Sequence, residues 1–460
     1  MQKRTLGGLG YYHRILSISI PIIIQSGITN FVNLLDNIMV GQVGTVPMSG
    51  VSIVNGLLFV FNLCIFGATS GAGIFTAQFH GSGDDAGIRH TFRFKFHSCI
   101  LLVLLGIGIF TLGGRTIIGF YLTGEGDPAM AAEVLEYGSR YLRIMMWGFL
   151  PFALSNAYSS TLRETGVTLV PMCAGICAVF VNLIGNYVLI FGRFGAPALG
   201  VEGAAIATVA SRFVELIIVA AWTHAHPGHY RYIQGAFRSF HIPGKLLKSI
   251  ILKGMPLMVN EFLWASGMAT ISQCYSTCGL AVVPALNISR TLYDVGSVVF
   301  ISLGNAVGII MGQMLGSGLP RDEIRMHNRK LMTFATVVGG SFGILIIAVS
   351  HLFPLLYNTT DEVRLLAARL ICISGLMLPF NSYCNASYYT LRSGGQAMVT
   401  FLFDSCFVWG LCVPLALILS RFTAIPILGL YFTVQAMELL KCALGAYMVR
   451  QGKWIQNLTV

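Results

Sequence analysis

Three carboxylates stand inside long apolar stretches of this 460-residue chain with no basic residue three or four positions away in either direction. They are Asp36 in Asn33-Leu-Leu-Asp36-Asn37, Glu261 in Asn260-Glu261, and Asp404 in Phe403-Asp404-Ser405. A bare charge at the centre of a bilayer costs about 3 kcal/mol or more, so each of these acids needs an explanation. Such a group takes up a proton, coordinates a cation, or is hydrogen-bonded to a neighbouring helix. The first two properties are what an ion-coupled carrier needs. Asn182 and Asn186, four residues apart, place two neutral amides on one helix face. They suit a cation, a substrate amine, or hydrogen bonds between helices. Other charges in apolar stretches come in local pairs, Arg290 with Asp294, Arg212 with Glu215 and Glu438 with Lys441, each spaced to neutralise itself on its own helix. Asp294 lies deepest of these and stays a candidate for substrate contact or coupling.

These groups need apolar elements around them, and the composition supplies them. The chain is 55% hydrophobic and only 10% charged, whereas a soluble domain carries roughly 25% charged residues to solvate its surface. The outside must therefore face lipid, which excludes an ordinary soluble enzyme, a nucleic-acid-binding module and a disordered scaffold. At roughly 20 to 25 residues per spanning helix, about twelve spans fit the length. Apolar runs between Gly, Pro and charged breaks predict helices over 14–40, 47–79, 88–114, 131–161, 167–192, 199–224, 247–277, 281–314, 325–350, 361–391, 396–420 and 427–449. The fold class is thus an all-α integral membrane protein. No G-x-x-x-x-G-K-[ST] or H-E-x-x-H sequence is present, so neither a P-loop ATPase nor a zinc protease is expected, and no cofactor.

The formal net charge of +11 reports topology. Lys and Arg gather in alternate loops, around Arg89, Arg93 and Lys95, then Arg231 to Lys253, then Arg321 to Lys330, and at Arg450 and Lys453, while an intervening loop carries Glu125, Asp127 and Glu133. This positive-inside pattern predicts cytoplasmic termini, an even number of spans and a bilayer rather than a nucleic acid as the partner. The apolar stretch from Ile15 through Pro21 to Val40 is expected to be the first span, not a cleaved signal. The eleven cysteines lie mostly in apolar runs and are expected to act as small hydrophobes. His224, His226 and His229 bracket Pro227-Gly228, which favours a plain turn over a metal site.

An internal repeat organises the helices. Gly73-Ile74, Gln78 and Gly81-Ser82-Gly83 recur 235 residues later as Gly308-Ile309, Gln313 and Gly316-Ser317-Gly318, and Pro21 recurs as Pro256. Glu133, Arg140, Asn156, Leu162-Arg163, Gly166 and Leu199-Gly200 recur 229 residues later as Glu362, Arg369, Asn385, Leu391-Arg392, Gly395 and Leu428-Gly429. The expected organisation is a six-helix lobe over 1–230, a connecting loop over 231–246 and a second six-helix lobe over 247–460, with the substrate site between them. Gly81 and Gly316 are expected as left-handed helix ends. Pro21 and Pro256 are expected to kink the first helix of each copy.

The chain resembles the multidrug and toxic compound extrusion (MATE) transporters over nearly its whole length. The resemblance rests on Asn33-Leu-Leu-Asp36-Asn37-Ile-Met-Val-Gly41, Leu162-Arg163-Glu-Thr-Gly166, Asn182-Leu-Ile-Gly-Asn186, Leu199-Gly200-Val-Glu-Gly203-Ala-Ala-Ile-Ala-Thr208, Leu391-Arg392-Ser-Gly-Gly395 and Gly452-Lys453-Trp454. It implies two pseudo-symmetric six-helix bundles, the MATE/MOP fold, working as a monomer in the plasma membrane. It also implies export of cationic or amphipathic organic compounds in exchange for Na⁺ or H⁺. Asp36 matches the helix-one aspartate associated with cation coupling and Asn182 its helix-five partner. The chain departs from some members in having Asn186 where they have an aspartate and Gln396 where some branches place an acid. Glu261 is similar to a helix-seven glutamate of the Na⁺-coupled branch. The resulting candidates are Asp36, Asn182, Asn186 and Glu261 for coupling, with Na⁺ at the first three. Asp404, Asp294, Asn33 and Thr208 follow for substrate or coupling, and Pro21 and Pro256 for bending. The alternative is a flippase for lipid-linked saccharides, which would need several unpaired bases around its cavity.

Overall fold

A computed structural model describes residues 8–122, 128–279, 281–423 and 425–459, with the side chains of 8–12, 14, 33, 34 and 37 left undescribed. Glu125, Asp127 and the Asn33 side chain therefore lie outside the described residues. Every regular element of the rest is a helix, with no strand among the described residues. Twelve helical rods follow one another: α1 (Gly8–Gly41), α2 (Thr45–Ser82), α3 (Asp85–Tyr121), α4 (128–164), α5 (Leu169–Phe191) and α6 (Val201–Ala225). After the connection come α7 (Gly244–Ser276), α8 (Val282–Gly316), α9 (Arg321–Val349), α10 (Asp361–Ser393), α11 (Ala397–Phe422) and α12 (Ile427–Gln451).

Ten of these rods are long and apolar enough to cross a membrane. The other two, α4 and α7, carry the charges that dilute their apolarity: Glu133, Glu136, Arg140 and Arg143 in α4, and Lys245, Lys248, Lys253 and Glu261 in α7. Large apolar side chains point outward, with Leu112, Ile344 and Phe422 at 91%, 72% and 81% exposure. In water that would be a liability, whereas in hydrocarbon it is the expected exterior. The chain is a multi-pass membrane protein.

Local chemistry sets the helix ends. Asp84 caps α3, its carboxylate accepting from the amides of Ala86 and Gly87, and the Thr360 hydroxyl caps α10 at Val363. Gly192 and Gly452 end α5 and α12 in the left-handed conformation, at φ 64° and 69°. Two rods are not uniform. A 3₁₀ turn over Met146–Gly148 interrupts α4, and α11 opens into π turns over Leu402–Cys406 and Val408–Cys412.

The expectation for Gly81 and Gly316 needs correction. The left-handed residues are Gly83 and Gly318, at φ 77° and 71°. Gly81 and Gly316 are helical and are glycine for a different reason: a Cβ at Gly81 would overlap the Gln313 carbonyl oxygen, and one at Gly316 the Gln78 carbonyl oxygen. The ends of α2 and α8 thus cross backbone to backbone, and Ala77–Gly83 belongs to the same compact unit as α8.

The chain gathers into two compact units. One comprises Ile24–Thr76 and Asp84–Ile250; its core of Val54, Ile65, Cys99, Ile118, Ala153 and Ala205 joins α2, α3, α4 and α6. Gly50 lets α2 approach the α4 backbone at Val134 and Gly138, where a Cβ would stand 2.8 Å away. The other unit holds the described residues up to Ile23, Ala77–Gly83 and the chain from Ile251 onward. In it Ile15, Ile18 and Ile22 of α1 share a core with Leu303, Met311, Leu331 and Trp454, and a second core joins Ile271, Ile288, Leu370 and Val413.

Two bases that read as loop charges are built into the first of these units. Lys95 is fully buried on α3, ion-paired to Glu164 and hydrogen-bonded to Ser160 and Thr161. Arg93, also on α3, donates to three carbonyls of the connection after α6, at Ala236 (2.7 Å), Gly235 (2.8 Å) and His241 (3.1 Å).

Candidate functional site

Asp36 lies five residues before the end of α1 and forms no ion pair among the described residues. Its carboxylate is held by amides from α5. Asn186 Nδ2 donates to Asp36 Oδ1 at 2.6 Å, a length typical of a charge-assisted bond. The spacing of four residues puts Asn182 on the same face of α5, as expected, and brings it to the same carboxylate.

The Asn182 amide fits in two orientations. With its nitrogen inward it donates to Oδ1 at 2.9 Å and Oδ2 at 2.8 Å, and its oxygen accepts from the Thr208 hydroxyl at 3.1 Å. With its oxygen inward, the nitrogen instead donates to Thr208 Oγ1, and Asn186 Nδ2 reaches the amide oxygen at 3.3 Å. An amide oxygen that close to a carboxylate is repelled unless a proton or cation lies between them. Thr208 follows suit, since its single proton serves either Asn182 or the Ala204 carbonyl 2.9 Å away. Asn186 Oδ1 is buried and has no hydrogen-bond partner among the described residues. Oxygen donors from a carboxylate and neutral amides are the set a hard cation prefers.

Asp36 opens on a cavity of about 80 Å³, lined also by Gln25, Thr29, Asn182, Thr208 and Arg212. That is room for a few waters, or for one ion with part of its hydration. Arg212 is turned to Glu215 at 3.4 Å, as its spacing on α6 predicts, and lies 5.0 Å above the Phe152 ring. Gln25, three turns before Asp36 on α1, and Arg212, which α6 brings from far along the chain, escape the sequence reading as cavity residues.

The other unit holds a second polar group. Asp404, on the first π turn of α11, accepts from Lys441 Nζ at 2.7 Å and from Asn260 Nδ2 at 3.1 Å. It lacks a partner only along its own helix; the partner comes from α12. Lys441, expected to pair with Glu438, turns to Asp404 instead. Asn260 is the centre of the group, its amide oxygen accepting from the Ser405 backbone (3.2 Å) and hydroxyl (2.7 Å). Glu261 has the Tyr388 hydroxyl as hydrogen-bonding partner, with Arg392 and Asp404 as charged neighbours. Asp294 pairs with Arg290 at 3.9 Å, and both side chains are more than half exposed. Pro21 and Pro256 lie inside α1 and α7, as placed. His224 and His226 bond Tyr158 and the Trp222 carbonyl.

Long apolar helices that enclose polar residues are the architecture of a multi-pass membrane protein. The MatE family model matches residues 21–188 and again 256–418. The chain belongs to the MatE family of transporters. Among its relatives are the probable multidrug resistance protein YoeA of Bacillus subtilis, 25% identical over 90% of this chain and 88% of that one. The probable multidrug resistance protein NorM of Thermotoga maritima is 21% identical over 96% and 92%. Similar folds include the outward-facing conformation of a multidrug resistance MATE family transporter of the MOP superfamily, with a TM-score of 0.83 at 19% identity over 95% of each chain. Another is a MOP superfamily transporter from Pyrococcus furiosus, whose reversed binding-pocket polarity is taken to suggest a different function, with a TM-score of 0.79 at 18% identity over 95% of each chain.

Proposed function

We propose that this chain is a secondary-active exporter of small cationic or amphipathic organic compounds in the plasma membrane, driven by inward movement of Na⁺ or H⁺ through Asp36. The observation that carries the reading is the Asp36 carboxylate, which forms no ion pair among the described residues, is held by Asn182 and Asn186 and opens to a small polar cavity. The chain acts as a monomer of two six-helix lobes with both termini cytoplasmic, a topology supported by the alternating basic loops.

Ionised Asp36 holds the Asn182 nitrogen inward and draws the Thr208 proton toward Asn182. A cation or proton arriving at Asp36 removes the reason for that arrangement, so the amide turns its oxygen inward and Thr208 returns its proton to Ala204. The binding event is thereby passed from α1 to α5 and α6. Bending of α1 near Pro21 then shifts the lobes between inward-open and outward-open states, which requires only that loading favour one state by a few kcal/mol, on the order of a hundredfold in population. Glu261, hydrogen-bonded rather than ion-paired, is a second coupling group, and Asp294 with its exposed carboxylate is a substrate contact. Against the flippase alternative, Arg212 is the one base lining the Asp36 cavity, and it is paired with Glu215.

The test is ethidium efflux from vesicles carrying the purified chain, with either a Na⁺ or a pH gradient imposed, for wild type and Asp36→Asn. One gradient should drive the wild type and neither the variant. Efflux of equal rate in the variant removes Asp36 from the mechanism; movement of lipid-linked sugar without dye efflux replaces the reading with the flippase.

A further inference from the structure

We propose that the open pocket between α9, α10 and α12 binds the phosphate headgroup of an anionic phospholipid. The pocket has a volume of about 710 Å³, and Arg325, Arg329 and Arg450 line it with Asn328, Val337 and Trp454. Among the described residues no carboxylate lines it. Asp322 reaches Arg325 at 3.8 Å but is almost wholly exposed, so its pull on the guanidinium is weak. Arg329 and Arg450 form no hydrogen bond or ion pair among the described residues.

The internal repeat shows what such arginines do when they are satisfied. Ile88-Arg89 and Arg93 on α3 recur 236 residues on as Ile324-Arg325 and Arg329 on α9. Both isoleucines are buried, at 2% and 3% exposure, so the two helices present corresponding faces. In the first copy the face is covered by protein: Arg89 donates to the Tyr232 carbonyl at 3.1 Å and Arg93 to three further carbonyls of the same connection. In the second copy the equivalent guanidiniums, joined by Arg450, face a cavity. Arg329 and Arg450, without an acceptor among the described residues, and Arg325, with only the exposed Asp322, converge from two helices as a receptor for phosphate oxygens.

The occupant is a lipid rather than a free anion because the cavity continues onto an apolar face. Two turns beyond Arg329 on the same helix, Val337 is 62% exposed and lines the pocket, within a segment apolar enough to span a membrane. The floor is the fully buried Trp454, whose ring nitrogen is already committed to the Val449 carbonyl at 3.0 Å. A headgroup on the arginines would lay its acyl chains along that face, the arrangement basic pockets between spanning helices provide for acidic lipids.

The experiment is native mass spectrometry of the full chain released from vesicles of phosphatidylglycerol and phosphatidylcholine in equal amounts. The wild type should retain phosphatidylglycerol selectively, and R329Q/R450Q should retain at least about a hundredfold less, the loss expected for two charge-assisted bonds. K245Q/K248Q, which removes two exposed charges outside the pocket, should match the wild type. Equal retention by R329Q/R450Q and wild type overturns the assignment, as does an equal loss in K245Q/K248Q. A competition arm uses the wild type alone and so does not depend on folding of the variant. Displacement of the lipid by inorganic phosphate or glycerol phosphate at the lipid's own concentration would make the site one for free anions and overturn the lipid.

Discussion

Removing Lys441 tests whether Asp404 is held for structure. The ammonium and carboxylate are 2.7 Å apart, with side chains only 9% and 17% exposed. At an effective dielectric constant of about 20, their attraction is about 6 kcal/mol before the cost of desolvating both groups is subtracted. Much of that gain is offset by the desolvation, so the pair itself contributes little, but Lys441→Met leaves the carboxylate with only the Asn260 amide. Breaking a buried pair in this way costs roughly 3 to 5 kcal/mol, whereas neutralising both partners is nearly neutral. Lys441→Met should therefore melt far below wild type in detergent, as followed by loss of the main peak on size exclusion after heating. Asp404→Asn/Lys441→Met should recover most of the difference and keep gradient-driven efflux. If the double variant melts like wild type yet loses coupling, Asp404 carries the driving ion and its assignment to structure is wrong. If Lys441→Met melts like wild type, the pair is not formed in the membrane protein.

Two further outcomes follow from the packing. Arg93→Ala removes three bonds to the connection after α6; protease cleavage within 226–243 should quicken at least about tenfold, since bonds to a charged group contribute roughly 1.5 to 3 kcal/mol each, and an unchanged cleavage rate would show the connection is held otherwise. Gly316→Ala forces a methyl into the Gln78 carbonyl and should lower the melting temperature, with a cost of about 1 to 3 kcal/mol or more; a variant as stable as wild type would mean that α2 and α8 do not cross there.

Apolar runs and their Gly and Pro boundaries place the twelve rods, most ends within about four residues, although α1 begins six residues earlier and α3 ends seven later than those runs indicate. They do so because in a bilayer each span must be apolar and helical along its own length. Asp36 was visible for the same reason: its isolation is a local property. What lay across helices was not. Lys441 and Asp404 are 37 positions apart and meet only once α11 and α12 pack, whereas spacing along one helix pairs the lysine with Glu438. The π turns of α11 aim Asp404 and Ser405 at Asn260, and nothing in Phe403-Asp404-Ser405 announces a wider helix. Lys95 read as a loop base because its spacing shows no acid nearby, and Glu164 arrives from α4. The glycines misled in a smaller way: either Gly81 or Gly83 could supply the turn, and only the neighbouring backbone reveals that the first is needed for proximity.

That proximity is reciprocal. Gly81 rests on Gln313 and Gly316 rests on Gln78, so one short stretch of sequence, written twice, docks onto its own duplicate. A surface complementary to itself is the hallmark of a two-fold dimer. The two glycines form one reciprocal contact, so substitutions at one should be mirrored in effect by those at the other.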